Sequence, residues 1–106
     1  MQAHAQDLRV EVSHLPDADA FVHQFVRDWR ACPLDDPTRA LLEFADLLTA
    51  GGHHATREQL DRLRQAGWDD TAIHDAVQVI SFFNYINRVA DALGVEPESF
   101  IPRWGG

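Results

Sequence analysis

Chemistry in this chain could rest on a single thiol, Cys32, on six histidines, or on a polar stripe crossing an otherwise apolar stretch, Asn84, Asn87, Arg88 and Asp91. A thiol reacts as its thiolate, which needs an electropositive setting. Cys32 sits between Ala31 and Pro33 with no histidine and no second cysteine beside it. It reads as an incidental loop cysteine rather than a peroxidatic or regulatory thiol. One cysteine also forms no internal disulfide, and there is no Cys-x-x-Cys pair for redox chemistry or zinc. His53 and His54 follow Gly51-Gly52 in an expected loop. A metal ion asks for three or four ligands in a defined geometry, and two adjacent imidazoles cannot easily chelate one ion, so the pair reads as a solvated turn. His14, His23 and His74 share no ligand spacing. No metal site and no cofactor are expected.

The stripe is the better candidate. It lies in the run from Val79 to Val95, and its spacings of three, four and seven residues put all four side chains on one helical face. If exposed, Arg88 paired with Asn84 or Asp91 contributes only roughly 0.2–0.5 kcal/mol. If partly buried, these groups must find hydrogen-bond partners, and they would then either fix a structural network or subunit interface or line a ligand pocket. The first alternative is preferred. Trp29, Trp68 and Trp104 read as core and interface aromatics.

The elements that would hold these residues follow from length and punctuation. At 106 residues with 45% hydrophobic content, the chain is one domain or part of one. A net charge of −8 disfavours nucleic acid and anionic membrane as partners. All nine basic residues are arginine. No apolar segment approaches the roughly 20 residues that cross a bilayer. The start, Met1 to Asp7, has neither a basic nor a hydrophobic signal region, so a cytoplasmic location is expected.

Four segments carry helical periodicity. The first runs from Asp17 or Asp19 to Arg30, with Phe21, Phe25 and Trp29 recurring at i, i+4 and i+8. The second opens with Asp36 as N-cap and Pro37 at the first helical position, and stops at Gly51-Gly52. The third opens at Thr56, with Gln59 completing a capping box, and ends at Gly67. The fourth opens at Asp69 and runs to Gly94, long enough to be the central helix. Leu8 to Val12 alternates like a strand but has no β partner anywhere in the chain, so a helix through Arg9 or Val12 is preferred. The expected fold is all-α, a small helical bundle in one partial domain, 1–106, with 96–106 as an extended tail.

Three blocks, Leu34 to Ala45, Thr56 to Ile73 and Val79 to Val95, occur in an order that resembles the carboxymuconolactone decarboxylase and alkylhydroperoxidase (AhpD-like) family, in particular its peroxidase-related branch. The resemblance covers about Pro33 to Val95, with Phe83-Asn84 and Asn87-Arg88-Val89-Ala90-Asp91 in the final helix. It implies an all-α, oligomeric thiol peroxidase or related oxidoreductase. Such proteins use a Cys-x-x-Cys pair at a helix start, a histidine four positions later and an upstream glutamate. The helix N-terminus and the histidine lower the thiol pKa, and the second cysteine resolves the sulfenic acid into a disulfide.

His4, followed by Leu8-Arg9, matches the family histidine and its Leu-Arg pair. On that alignment the redox pair and the glutamate would precede residue 1. His4 is then a remnant of the catalytic motif, and these residues alone are expected not to turn over peroxide. Either the chain is truncated or it is a shortened relative without the chemistry. A non-catalytic binding or assembly module is the alternative, with a cysteine-independent decarboxylase-like enzyme ranked last. Uncovered apolar helix faces predict a homo-oligomer.

Overall fold

The computed structural model describes residues 2–96, 99–100 and 102–105, with the side chains of residues 2, 3 and 54 left undescribed. It is all-α, and no strand occurs among the described residues. Five α-helices follow one another: α1 (Gln2–Glu11), α2 (Ala18–Asp28), α3 (Asp36–Ala50), α4 (Arg57–Gln65) and α5 (Asp70–Leu93). Leu8 to Val12 therefore belongs to a helix and its closing turn. The chain divides into two compact units, Met1–Pro33 with Glu96–Gly106, and Leu34–Val95.

In the first unit, α1 and α2 close on Ala5, Val22 and Trp104, with Leu8, Val12, Phe21 and Val26 around them. The segment after residue 95 is held by polar contacts to both helices. The Trp104 indole N–H donates to Gln6 Oε1 at 3.2 Å, the Gly105 N–H to His23 Nδ1 at 3.1 Å, and Arg27 Nε to the Gly105 carbonyl at 3.4 Å. Gly105 has φ +81°, which favours glycine. Phe100, the other aromatic of this segment, is exposed. Residues 97, 98, 101 and 106 of the expected tail lie outside the described residues.

Helix α2 stops two residues before the expected Arg30 and tightens into a 3-10 turn, Trp29–Ala31. Pro33 accounts for this, because a residue before proline is pushed out of the helical region, and Cys32 is extended at φ −76°, ψ 149°. The Asp28 carboxylate accepts from the Arg30 N–H at 3.2 Å and steadies the turn.

In the second unit, α3, α4 and α5 bury Ala40, Phe44, Leu63 and Ile73, with Leu41, Leu48, Leu60, Trp68, Val77 and Ile80 packed on them. The N-cap of α3 is Asp35, not the expected Asp36. Asp35 Oδ1 accepts from the Thr38 N–H at 2.9 Å, three residues on, where a cap carboxylate reaches best. Asp36 is the first helical residue, and its carboxylate takes a two-pronged bond from Arg62 of α4, at 2.9 and 3.0 Å. The other starts match expectation. Gln59 Oε1 accepts from the Thr56 N–H at 3.0 Å at the head of α4. Asp69 Oδ1 accepts from the Ala72 N–H at 2.8 Å at the head of α5. Gly94 ends α5 in the left-handed region at φ 68°.

Candidate functional site

Two faces of α5 frame the candidate site. Ile73, Val77 and Ile80 lie on one line of the helix and meet α3 and α4. At the helical repeat of about 100° per residue this line continues through Asn84 to Asn87, Arg88 and Asp91. The polar stripe is thus the outer half of the line whose inner half is core. The change of polarity has a local cause: α3 ends at Ala50 and Gly51 follows as its cap. Thr49, in the last turn of α3, donates its hydroxyl to Asn84 Oδ1 at 3.1 Å. Asn84 is half-buried, whereas Asn87, Arg88 and Asp91 are exposed.

The structure brings two of the four predicted residues to a common groove. Leu48, Gly51 and Gly52 border it on one side, and Asn84, Tyr85 and Arg88 on the other, around about 610 Å³ of open space. Asn87 and Asp91 do not line it. Arg88 makes no ion pair or hydrogen bond among the described residues. The groove therefore offers one guanidinium, the Tyr85 side chain and an apolar floor. Its Leu48–Gly51–Gly52 wall was not singled out from sequence, where Gly51-Gly52 registers only as a helix stop.

The reverse face of the same half of α5 is apolar and uncovered. Val79, Phe82, Ile86, Val89 and Leu93 are exposed, from 39% at Ile86 to 74% at Leu93, and Phe83 and Tyr85 flank them. Phe82 and Phe83 stack edge to face, with centroids 5.5 Å apart. The sequence predicts uncovered apolar helix faces without saying which residues form them, because an apolar run on a helix looks the same whether it meets a core or solvent.

None of the remaining candidates lines the groove. His4 lies on α1, exposed, with Nδ1 3.6 Å from Asp7 Oδ2 one turn away. Cys32 is buried, at 2% exposure. His53 is exposed in a 3-10 turn, Gly52–His54, and the His54 side chain lies outside the described residues. No group of three or more His, Cys, Asp or Glu side chains is arranged to hold a metal ion among the described residues. No described helix is long and apolar enough to cross a membrane.

Titration is perturbed in the scaffold. The hydrogen bond from Arg62 holds the Asp36 carboxyl below its ordinary 3.8, and bonds from Thr38 do the same for Asp35. Arg64 bonds both Asp70 at 2.8 Å and Asp61 at 3.0 Å, which ties the end of α4 to the start of α5.

No protein-family model matches the chain, and neither does any curated protein. Among solved structures, it is similar to an uncharacterised peroxidase-related protein from Silicibacter sp. TM1040, with a TM-score of 0.83 and 31% sequence identity. The likeness covers 94% of this chain and 50% of that one, so the chain spans about half the length of that protein.

Proposed function

We propose that these residues are part of a cytoplasmic, homo-oligomeric protein of the AhpD-like kind, a thiol peroxidase-type oxidoreductase when whole, and that 1–106 is one partial domain of it that does not itself carry the redox chemistry. The observation that supports this most is the 31% identity maintained along 94% of the chain with a peroxidase-related protein. The order of helices and the Asn87 to Asp91 motif point the same way. The cysteine arithmetic separates scaffold from chemistry. The mechanism needs a thiolate and a resolving thiol within reach of a base, whereas Cys32 is the one cysteine of the chain and is buried. His4, the motif remnant, is exposed beside Asp7.

The test is an assay of the 106-residue chain with an organic hydroperoxide and a dithiol. No turnover is expected, and Cys32 should react with a bulky thiol reagent only on unfolding. Sustained turnover abolished by Cys32→Ser would overturn the reading. Reading the coding frame upstream of codon 1 separates the two histories. A Cys-x-x-Cys directly before it supports a catalytic whole protein, and an in-frame stop codon removes that support.

A second reading, an assembly or binding module without redox chemistry, is favoured by the uncovered apolar face of α5. An in-frame stop codon with an intact oligomer is the result it expects.

A further inference from the structure

We propose that the outer face of α5 pairs with the same face of a second copy, antiparallel, about a two-fold axis at Ile86. This rests on the homo-oligomeric reading above and adds to it the surface and its symmetry.

The spacing of the face is the first ground. Val79, Phe82, Ile86, Val89 and Leu93 follow one another at three, four, three and four residues. That is the 3.5-residue repeat by which one helix seats against another. At about 100° per residue the line lies roughly opposite the one that buries Ile73, Val77 and Ile80. Packing within the second unit therefore does not use it, and all five residues are exposed.

The second ground is charge. The chain carries −8, so a basic partner would be expected to meet acidic flanks, and a second copy would be repelled wherever carboxylates face each other. Between Val79 and Leu93 neither pattern holds: the seam is uncharged, and so are Gln78, Phe83, Tyr85, Ala90 and Ala92 beside it, while the exposed Asp75, one turn before Val79 on the same line, marks its charged limit. Arg88 and Asp91 stand off the seam, on the opposite side of the helix. Within this acidic chain, the face suits an equally neutral, apolar helix, and α5 is the helix of this chain with that pattern.

The third ground is symmetry and size. The seam is centred on Ile86, with Val79 and Leu93 each seven residues away. An antiparallel pair then sets Ile86 against itself and Val79 against Leu93, with Phe82 opposite the small Ala90 and next to Val89. This is the self-complementary arrangement of a two-fold interface. The exposed parts of these side chains with Phe83 and Tyr85 amount to on the order of 600 Å² per copy, or about 1,200 Å² for a pair, enough for a specific interface.

Sedimentation velocity on the 106-residue chain at micromolar concentration tests this with three variants. Ile86→Arg sets like charges across the axis and should weaken dimerisation at least 100-fold while circular dichroism stays helical, because the residue is already solvent-facing. Val10→Arg, exposed on the other unit, should leave association unchanged. In a Cys32→Ala background, Ile86→Cys should oxidise to a disulfide-linked dimer and Val79→Cys should not. An oligomer that persists in Ile86→Arg overturns the α5 interface and leaves the homo-oligomeric reading standing. Cross-linking at both 79 and 86 overturns the antiparallel arrangement. A wild-type monomer overturns the interface and the oligomer together.

Discussion

The Thr49 hydroxyl donates to Asn84 Oδ1 at 3.1 Å, joining the last turn of α3 to the middle of α5. Below this bond, α5 turns apolar side chains toward α3 and α4. Beyond it, α3 has ended, and the same line of α5 carries Asn87, Arg88 and Asp91 into solvent. The bond thus stands where α5 stops being a core helix and becomes a surface helix. An apolar residue at 84 would extend the core stripe past the point where a partner helix exists to cover it.

Removing either end of that bond should cost little and by the same route. Thr49→Val and Asn84→Ala are each expected to lower stability by about 0.5–1.5 kcal/mol, the net worth of one such hydrogen bond. Because both lose the same interaction, the double variant should fall well short of the sum. Urea unfolding of the four proteins measures this, and full additivity would mean that the two side chains do not act on each other.

The head of α5 is a more sensitive position. Asp69 Oδ1 caps the helix through the Ala72 N–H at 2.8 Å. Arg64 of α4 adds a bond to Asp70 at 2.8 Å. Asp69→Ala should therefore destabilise the protein by about 1 kcal/mol, and Asp69→Asn or Asp69→Ser by much less, since each keeps a capping oxygen. Equal losses for Ala and Ser in thermal unfolding would show that the cap contributes nothing.

Which features could be read from sequence follows from the range over which their causes act. The starts at Thr56 and Asp69 and the stop at Gly94 are fixed by residues within one turn of each helix end, and they sit where spacing places them. The choice between Asp35 and Asp36 is different. Both can cap, and the decision comes from Arg62, distant in sequence, which engages Asp36 from α4. The polar stripe was legible as a stripe, but its setting was not. Whether Asn84 to Asp91 is buried depends on where α3 ends relative to α5, a distance that helical periodicity does not contain. Which residues form the apolar outer face was hidden for the converse reason, because hydrophobic residues at helical spacing look alike whether they meet a core or open solvent. The return of Trp104 to Ala5 and Val22 joins the two ends of the chain, and no local signal announces it.

That return makes Gly105 a test of the first unit alone. A Cβ there would lie 2.6 Å from Val26 Cγ1 and 3.0 Å from Val26 Cβ, at a φ of +81°. Val26 is β-branched and has little rotamer freedom on a helix, so it cannot easily give way. Gly105→Ala should cost about 1–3 kcal/mol through overpacking and backbone strain. Hydrogen exchange should quicken in α1 and α2 and stay unchanged in α3 to α5. Equal quickening throughout would mean that the two units unfold as one.

The acid limb of stability should depend on Asp36. Its folded pKa lies below the ordinary 3.8 because Arg62 donates to the ionised carboxylate. A carboxyl with a depressed folded pKa contributes stability that is present above its unfolded pKa and lost as pH falls through the folded one. In the wild-type protein this contribution is complete at neutral pH and disappears below pH 3.8. Asp36→Asn lacks it at every pH, and Asp35, also depressed by its bonds from Thr38, remains in both proteins as a common background. The wild type should therefore be the more stable at about pH 7, and the gap should narrow at about pH 2–3, below the ordinary 3.8, as Asp36 begins to take up its proton. Urea midpoints at the two pH values measure this, and a gap that persists unchanged in acid would assign the loss to altered packing around Arg62 rather than to ionisation of Asp36.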